Sequence, residues 1–112
     1  MINIGKLDNV DLVEFSSDTI NALATEDLKE KIYEVLRDGT GKMVVDLKGV
    51  RYIDSSGFGL LLSITRVAKE NYCKVRFCSI EPEVMKVLRM LFLHTVFTID
   101  TNRDSSIAAF RA

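Results

Sequence analysis

Several residue types are scarce in this chain of 112 residues, and each scarcity excludes a class of protein. The sequence contains no tryptophan, one proline, one histidine and two cysteines. A single histidine without a paired Cys-x-x-Cys leaves no ligand set for a metal. No apolar run approaches the roughly 20 residues that are needed to span a bilayer. We therefore expect a protein without a metal, a cofactor or membrane insertion.

A large excess of charge of one sign is also missing. The chain has 15 basic and 16 acidic residues, which gives a net charge of −1. Proteins that bind nucleic acid normally meet its phosphates with a basic excess, so this balance argues against nucleic acid as the main partner. The first five residues contain no basic segment followed by an apolar core, which argues against a secretory signal.

The two cysteines, Cys73 and Cys78, lie in one predicted strand. Their odd spacing puts the side chains on opposite faces of that strand, and five residue rises separate them by about 16 Å. A disulfide between them is therefore excluded. Two small free thiols fit a reducing compartment, and we expect a cytoplasmic protein.

The hydrophobic pattern predicts an α/β fold. Apolar residues make up 47% of the chain and charged residues 28%, which is typical of a globular domain. Strands and helices alternate in the order β β α β α β α β α, which indicates a partly parallel sheet. We predict one domain over residues 1–112, with a mixed sheet of four to five strands flanked by about four helices. Strands are predicted at 2–7, 10–15, 43–47, 73–78 and 96–99. Asp8-Asn9 is the expected turn between the first two, and the second alternates apolar and acidic residues. The short β-branched run at 43–47 predicts a central strand covered on both faces.

The ends of the helices are predicted from capping residues. Thr25 is the expected N-cap of a helix over 25–38, which Gly39 ends. A second helix is expected from about residue 57 to residue 70, with Ser55 and Ser56 at its N-cap or in its first turn. Pro82 suits the first turn of a third helix. Asp104 is expected to cap a final helix that runs to residue 110. One face of the third helix is expected to carry Val84, Val87, Leu88 and Leu91.

The stretch DSSGFG, residues 54–59, lies where a predicted strand meets the second helix, and two interpretations of it remain open. It is either a simple helix start or a place where free N–H groups and the helix dipole meet a phosphate. Asp104-Ser105-Ser106 repeats its first half without the glycines, and we interpret that copy as capping alone. Glycine in a helix costs about 1 kcal/mol relative to alanine. The pair in residues 57–59 therefore indicates close approach, by packing or by a partner.

No catalytic motif accompanies these residues. Leu60, Leu61 and Leu62 follow the glycines, so the dinucleotide fingerprint G-x-G-x-x-G fails. The sequence contains neither a P-loop nor the G-x-S-x-G of a serine hydrolase. His94 lies among apolar neighbours and is interpreted as a partly buried structural residue. We expect a binding module or a modified substrate protein, and not an enzyme.

Three segments resemble one family: MVVDLKGV at 43–50, YIDSSGFG at 52–59 and CSIEP at 78–82. They are similar to anti-sigma factor antagonists, whose fold is the STAS domain, and the resemblance covers nearly the whole chain. It implies that the unmodified protein binds an anti-sigma factor with serine kinase activity and so frees a sigma factor. It implies further that phosphorylation of Ser55 blocks this binding, and that a serine phosphatase restores it.

The resemblance and the junction together predict a partner-binding site. Asparagine stands at position 21, where the family pattern has aspartate. That difference favours an alternative, a non-switching STAS subunit of a larger complex such as a lipid-transport or sensory scaffold. A third hypothesis, a small nucleotide-binding protein, depends only on the glycines and the helix terminus. The predicted contact residues are Asn21, Asp54, Ser55, Ser56, Gly57, Phe58, Gly59 and Leu62.

Overall fold

A computed structural model describes residues 2–111, apart from the side chain of Ala24. Seven strands and four α-helices alternate along this part of the chain, and a short 3₁₀ turn at Leu93–Thr95 follows the third helix. The strands are β1 (Ile2–Leu7), β2 (Val10–Phe15), β3 (Thr19–Ile20), β4 (Lys42–Asp46), β5 (Tyr52–Ile53), β6 (Lys74–Cys78) and β7 (Ile99–Asp100). The helices are α1 (Ala22–Asp38), α2 (Ser55–Glu70), α3 (Pro82–Met90) and α4 (Arg103–Arg111).

Five of the strands form a mixed sheet in the order β1-β2-β4-β6-β7. β1 and β2 are antiparallel, and every other neighbouring pair in this sheet is parallel. The predicted turn joins the first two strands through Asp8 and Asn9, whose positive φ angles of 54° and 61° suit a two-residue hairpin. The predicted mixed α/β sheet with four helices is confirmed.

The central strand β4 is covered on both faces. Met43, Val44 and Val45 are buried, as the short β-branched run predicted. The larger core lies on the face that packs α1 and α2, and a smaller cluster lies on the other face beneath Ile107 of α4. No helix within residues 2–111 combines the length and apolar character required to cross a bilayer.

The two cysteines confirm the predicted alternation. Cys73 packs against the larger core and Cys78 belongs to the smaller cluster, and both are free thiols. Burial is the main cause that raises the pKa of Cys78 from 9.0 to about 11. This thiol is therefore fully protonated near neutral pH.

Two predicted helix starts were wrong and that of the second helix lies slightly earlier than expected, and in each case a residue nearer the N-terminus caps the helix. Asn21 caps α1, while Thr25 is buried inside that helix and donates its hydroxyl hydrogen to a backbone carbonyl. Asp54 caps α2, which begins at residue 55 rather than 57. Asn102 accepts the backbone N–H of Ser105, so it is Asn102, and not Asp104, that caps α4. Asparagine and aspartate are strong N-caps wherever the extended backbone before a helix allows them.

Two expectations near the end of the chain were also wrong. The strand predicted over 96–99 is shorter, because Val96 has right-handed helical backbone angles (φ −90°, ψ −36°) and β7 begins only at Ile99. On α3, Val84 and Leu88 are buried as expected, but Val87 and Leu91 are exposed. Leu91 lies just beyond the end of α3, and Met85 rather than Val87 is the partly buried residue that packs on the core, so only half of the predicted face is buried.

Candidate functional site

The DSSGFG segment and the loop around Asn21 meet through a small parallel ribbon. Thr19 pairs with Tyr52 and Ile20 pairs with Ile53, which makes β3 and β5 a two-stranded sheet. This pairing brings together two segments that lie about thirty residues apart. It places the start of α1, next to Asn21, beside the start of α2, which carries DSSGFG. The two parts of the predicted contact surface therefore lie together.

The carboxylate of Asp54 bridges these two helix starts. Its Oδ1 accepts the backbone N–H of Gly57 at 2.8 Å, which caps α2. Its Oδ2 accepts the backbone N–H of Ala22 at 3.2 Å, in the first turn of α1. One side chain therefore satisfies a free donor at each helix terminus and also supplies negative charge to the positive ends of both helix dipoles.

Ser55 and Ser56 occupy the first two positions of α2, and both are exposed. Within residues 2–111 neither hydroxyl makes a hydrogen bond. The backbone N–H of Gly57 is taken by Asp54, so of the three free donors at this terminus those of Ser55 and Ser56 remain. Both hydroxyls are thus accessible to another protein, and neither is needed as a cap.

The two glycines have different roles. A Cβ atom at Gly57 would lie 2.5 Å from Cγ2 of Ile53 and 2.6 Å from the carbonyl oxygen of Ile20. At Gly59 a Cβ atom would meet nothing within 4 Å. Packing therefore explains Gly57, which lets α2 lie against the β3–β5 ribbon. Gly59 leaves an open space on the helix surface next to Ser55.

The two apolar residues of the predicted site lie at different depths. The exposed fraction of Phe58 is only 9%, and its ring belongs to the larger core. Leu62 is exposed to 38%. Ser55, Gly59 and Leu62 follow one another at helical spacing along the outer face of α2. Leu62 can therefore contact a partner directly, while Phe58 supports the helix from below.

A groove of about 380 Å³ runs beside the junction. Tyr52, exposed to 63%, and Val87 contribute apolar surface to it, and Asn21 and Asp54 line its polar side. Sequence reasoning missed Tyr52, although its place directly before the motif in an alternating strand was a usable signal. Exposed tyrosine is common at protein interfaces because the ring is apolar and the hydroxyl is polar.

An ion pair ties the groove's rim to α3. Nη1 of Arg51 donates to Oε2 of Glu83 at 2.8 Å. The backbone N–H of Glu83 and this guanidinium lower the pKa of the Glu83 carboxyl, the backbone group being the larger cause. Both side chains are about half exposed, so the pair orients the rim more than it stabilises the fold.

The second DSS segment has a different role from the one predicted. Ser106 is buried, and its hydroxyl donates to Oδ2 of Asp100 at 2.6 Å. The same carboxylate accepts two hydrogen bonds from Arg76, at 2.7 and 3.1 Å. The interpretation of this copy as capping alone was therefore wrong, because Ser106 belongs to a half-buried polar network that joins α4 to the sheet.

His94 is partly buried, as expected from its apolar neighbours. Its Nδ1 is buried without a hydrogen-bond partner in the described part of the chain. Within residues 2–111, no three histidine, cysteine, aspartate or glutamate side chains gather as a metal site would require.

The profile of the STAS domain family matches residues 2–106. The chain belongs to the STAS domain family. Over 110 residues it is 22% identical to a protein of Bordetella bronchiseptica named "Putative anti-sigma factor antagonist BtrV". The matched stretch covers 98% of this chain and 94% of that protein.

Solved STAS structures share this fold at low sequence identity. An anti-sigma-factor antagonist domain protein of Planctomyces limnophilus superposes with a TM-score of 0.89 at 18% identity, covering 99% of this chain and 98% of that one. The antagonist SpoIIAA in its unphosphorylated form superposes with a TM-score of 0.81 at 18% identity, over 99% and 96% of the two chains. The phosphorylated form of Bacillus SpoIIAA gives 0.69 at 16% identity, over 90% and 92%.

Proposed function

We propose that this protein is a cytoplasmic anti-sigma factor antagonist that works by partner switching. In its unmodified form it binds an anti-sigma factor that is also a serine kinase, and this frees a sigma factor. Phosphorylation of Ser55 ends the binding, and a serine phosphatase restores it. The protein is the substrate in this cycle and not an enzyme.

The observation that carries the proposal is the exposed, unbonded hydroxyl of Ser55 at the start of α2. A kinase must reach the hydroxyl from outside, and Gly59, one helical turn further along, leaves the helix surface open there. Leu62 and Tyr52 supply exposed apolar area on either side. A surface of this kind, with apolar anchors around a modifiable polar group, suits a partner that must bind and then release.

Charge supplies the physical basis of the switch. A phosphate adds about −1.5 to −2 charges at neutral pH. Asp54 already occupies the helix donor at Gly57, so a phosphate on Ser55 finds only the remaining N–H groups and has a carboxylate beside it in the chain. A partner surface shaped for the neutral serine would have to desolvate this charge. Loss of about 1.4 kcal/mol already weakens binding tenfold, and like charges at an interface cost several.

The likeness to SpoIIAA, which is known in unphosphorylated and phosphorylated forms, supports the same assignment. BtrV, the curated relative, carries the name of an antagonist as well. Position 21 differs from the family pattern, yet Asn21 still caps α1 beside Asp54. The asparagine therefore still begins α1 at the place where the two helix starts meet.

The test uses the purified protein and the serine kinase that acts on it. Intact mass should rise by one phosphoryl group in the wild type and in Ser56→Ala, but not in Ser55→Ala. Ser55→Glu should bind the unphosphorylated partner at least about tenfold more weakly than Ser55→Ala does. A mass gain that persists in Ser55→Ala would place the phosphate on another residue and overturns the proposal. Unchanged binding of Ser55→Glu overturns it as well and favours a non-switching scaffold subunit.

A further inference from the structure

A second candidate site lies at the edge of the sheet, beside the first half of β6. β7 pairs only with Phe77 and Cys78, because the chain at Val96 turns away from the strand direction. On that side, the backbone from Lys74 to Arg76 therefore has no neighbouring strand in the described chain. The notch left by the missing pairing has a volume of about 440 Å³.

The backbone of Val75 faces this notch. The N–H of Lys74 donates to the carbonyl of Gly41, on the side of β4. The N–H of Phe77 donates to the carbonyl of Thr98, on the opposite side. Because successive residues of a strand direct their backbone groups to alternate sides, Val75 directs its N–H and C=O to the same side as Phe77. It therefore offers one donor and one acceptor to an added strand.

The charged side chains that line the notch are all positive. Its lining includes Lys42, Lys69, Lys74 and Arg76, and it includes no carboxylate residue. Arg76 is paired with Asp100, but none of the three lysines forms an ion pair within residues 2–111. A chain with a net charge of −1 thus gathers three unpaired cations around one opening.

We propose that this notch binds an extended acidic segment of a partner protein, which adds a short strand beside Val75 and directs carboxylates to Lys69 and Lys74. Free backbone groups at a sheet edge are recognised by an extended peptide, and the lysines select for negative charge on it. A small anion would use the lysines but not the backbone of Val75. An apolar strand would use that backbone but leave three lysines without a partner.

This site is distinct from the one at Ser55. Helix α2 runs from Ser55 at one end of the sheet to Lys69 near the other, a distance of about 21 Å at 1.5 Å per residue. The two sites therefore lie on different surfaces, and the proposed peptide site does not depend on the partner-switching function. A partner held at the notch would leave Ser55 free for a kinase.

The experiment measures the fluorescence anisotropy of a short labelled peptide in which every residue is Glu, so that an added strand directs carboxylates to both faces of the sheet. A peptide in which every residue is Gln is the control for charge. A peptide of the first sequence with all backbone amides N-methylated is the control for strand pairing. We expect binding of the acidic peptide that weakens as salt is raised, with each control peptide at least about tenfold weaker.

Two charge-reversed proteins localise the binding. Lys69→Glu combined with Lys74→Glu should weaken it at least about tenfold. Lys31→Glu combined with Lys86→Glu, at exposed positions away from the notch, changes the net charge equally and should leave it within about twofold. Circular dichroism of both variants should match the wild type, and Ser55→Glu should bind the peptide unchanged.

Several results would overturn the assignment. Equal losses in the two charge-reversed proteins would mean that only net charge matters. Undiminished binding of the N-methylated peptide would exclude strand addition. Full competition by millimolar inorganic phosphate, at an ionic strength held constant, would identify a small-anion site. Absence of any binding by the acidic peptide at low salt would end the proposal.

Discussion

Asp54 and Ala22 lie 32 residues apart in the chain and are joined by a hydrogen bond of 3.2 Å from the backbone N–H of Ala22 to Oδ2 of Asp54. The other carboxylate oxygen caps α2 through Gly57. The residue before the proposed phosphorylation site therefore holds the starts of two helices together. A change at Ser55 acts next to this bridge, which links the motif to the loop that carries Asn21.

We expect Asp54→Ala to lower the free energy of unfolding by about 1–2 kcal/mol, since it removes an N-cap and the bond to Ala22. Urea unfolding followed by circular dichroism measures this. Asp104→Ala is the matched control, because Asp104 opens a helix in a similar sequence but Asn102 supplies the cap there. That control should stay within about 0.5 kcal/mol of the wild type. Equal losses in the two variants would contradict the bridging role.

The two glycines should respond oppositely to alanine. Gly57→Ala places a methyl group against Ile53 and the carbonyl of Ile20, so we expect destabilisation of about 1–3 kcal/mol. Gly59→Ala meets open space inside a helix and should stabilise the fold by up to about 1 kcal/mol. Urea midpoints of the two variants give the comparison directly. A loss of stability in Gly59→Ala, or none in Gly57→Ala, would refute the assigned roles.

The network around Asp100 should make stability depend on pH at the acid end. Hydrogen bonds from Arg76 are the main cause that lowers the pKa of the Asp100 carboxyl below 3.8. Because the folded pKa is depressed, this contribution is present above 3.8 and is lost as the pH falls through the folded value. Asp100→Asn should therefore destabilise by about 1–3 kcal/mol at neutral pH and by progressively less in acid.

Urea titrations of the wild type and Asp100→Asn at several values of pH test this expectation. Asp104→Asn, an exposed carboxylate in α4, serves as the control and should show a small difference at each pH. A difference for Asp100→Asn that stays constant from neutral to acid pH would mean that the carboxylate is not preferentially charged in the folded state.

The raised pKa of the buried Cys78 thiol should make the free energy of unfolding depend on pH in the alkaline range. Its pKa is raised from 9.0 to about 11, so the folded state keeps a proton that the unfolded chain releases in this interval. The stability contribution is therefore complete below pH 9 and is lost as the pH rises to about 11. The slope can approach about 1.4 kcal/mol per pH unit.

Comparison with Cys78→Ala isolates this loss, because the variant lacks the thiol while its other titrating groups are unchanged. The stability of the wild type should fall more steeply than that of the variant between pH 9 and 11. Cys73→Ala keeps the buried thiol and should retain the steep fall. Parallel curves for the wild type and Cys78→Ala would show that the buried thiol titrates as in the unfolded chain.

The order of the elements and the central position of β4 could be predicted because they depend on local patterns. Alternation of apolar and acidic residues marked β2, and the β-branched run marked β4. The exact starts of the helices could not be predicted, since several adjacent residues can cap and the choice depends on the backbone before each helix. Thr25 and Asp104 are good caps by type, but Asn21 and Asn102 occupy the positions where the chain leaves extended geometry.

The sequence by itself determined that strands and helices alternate in one α/β unit and that Ser55 stands at a strand-to-helix junction. These features follow from periodicity, turn residues and a short motif, which act over a few neighbouring residues. Only the tertiary structure decided that Asp54 binds Ala22, that Gly57 serves packing while Gly59 stays open, and that β7 leaves Val75 unpaired. Each depends on contacts between residues distant in the chain, whose positions are fixed only when the helices pack on the sheet.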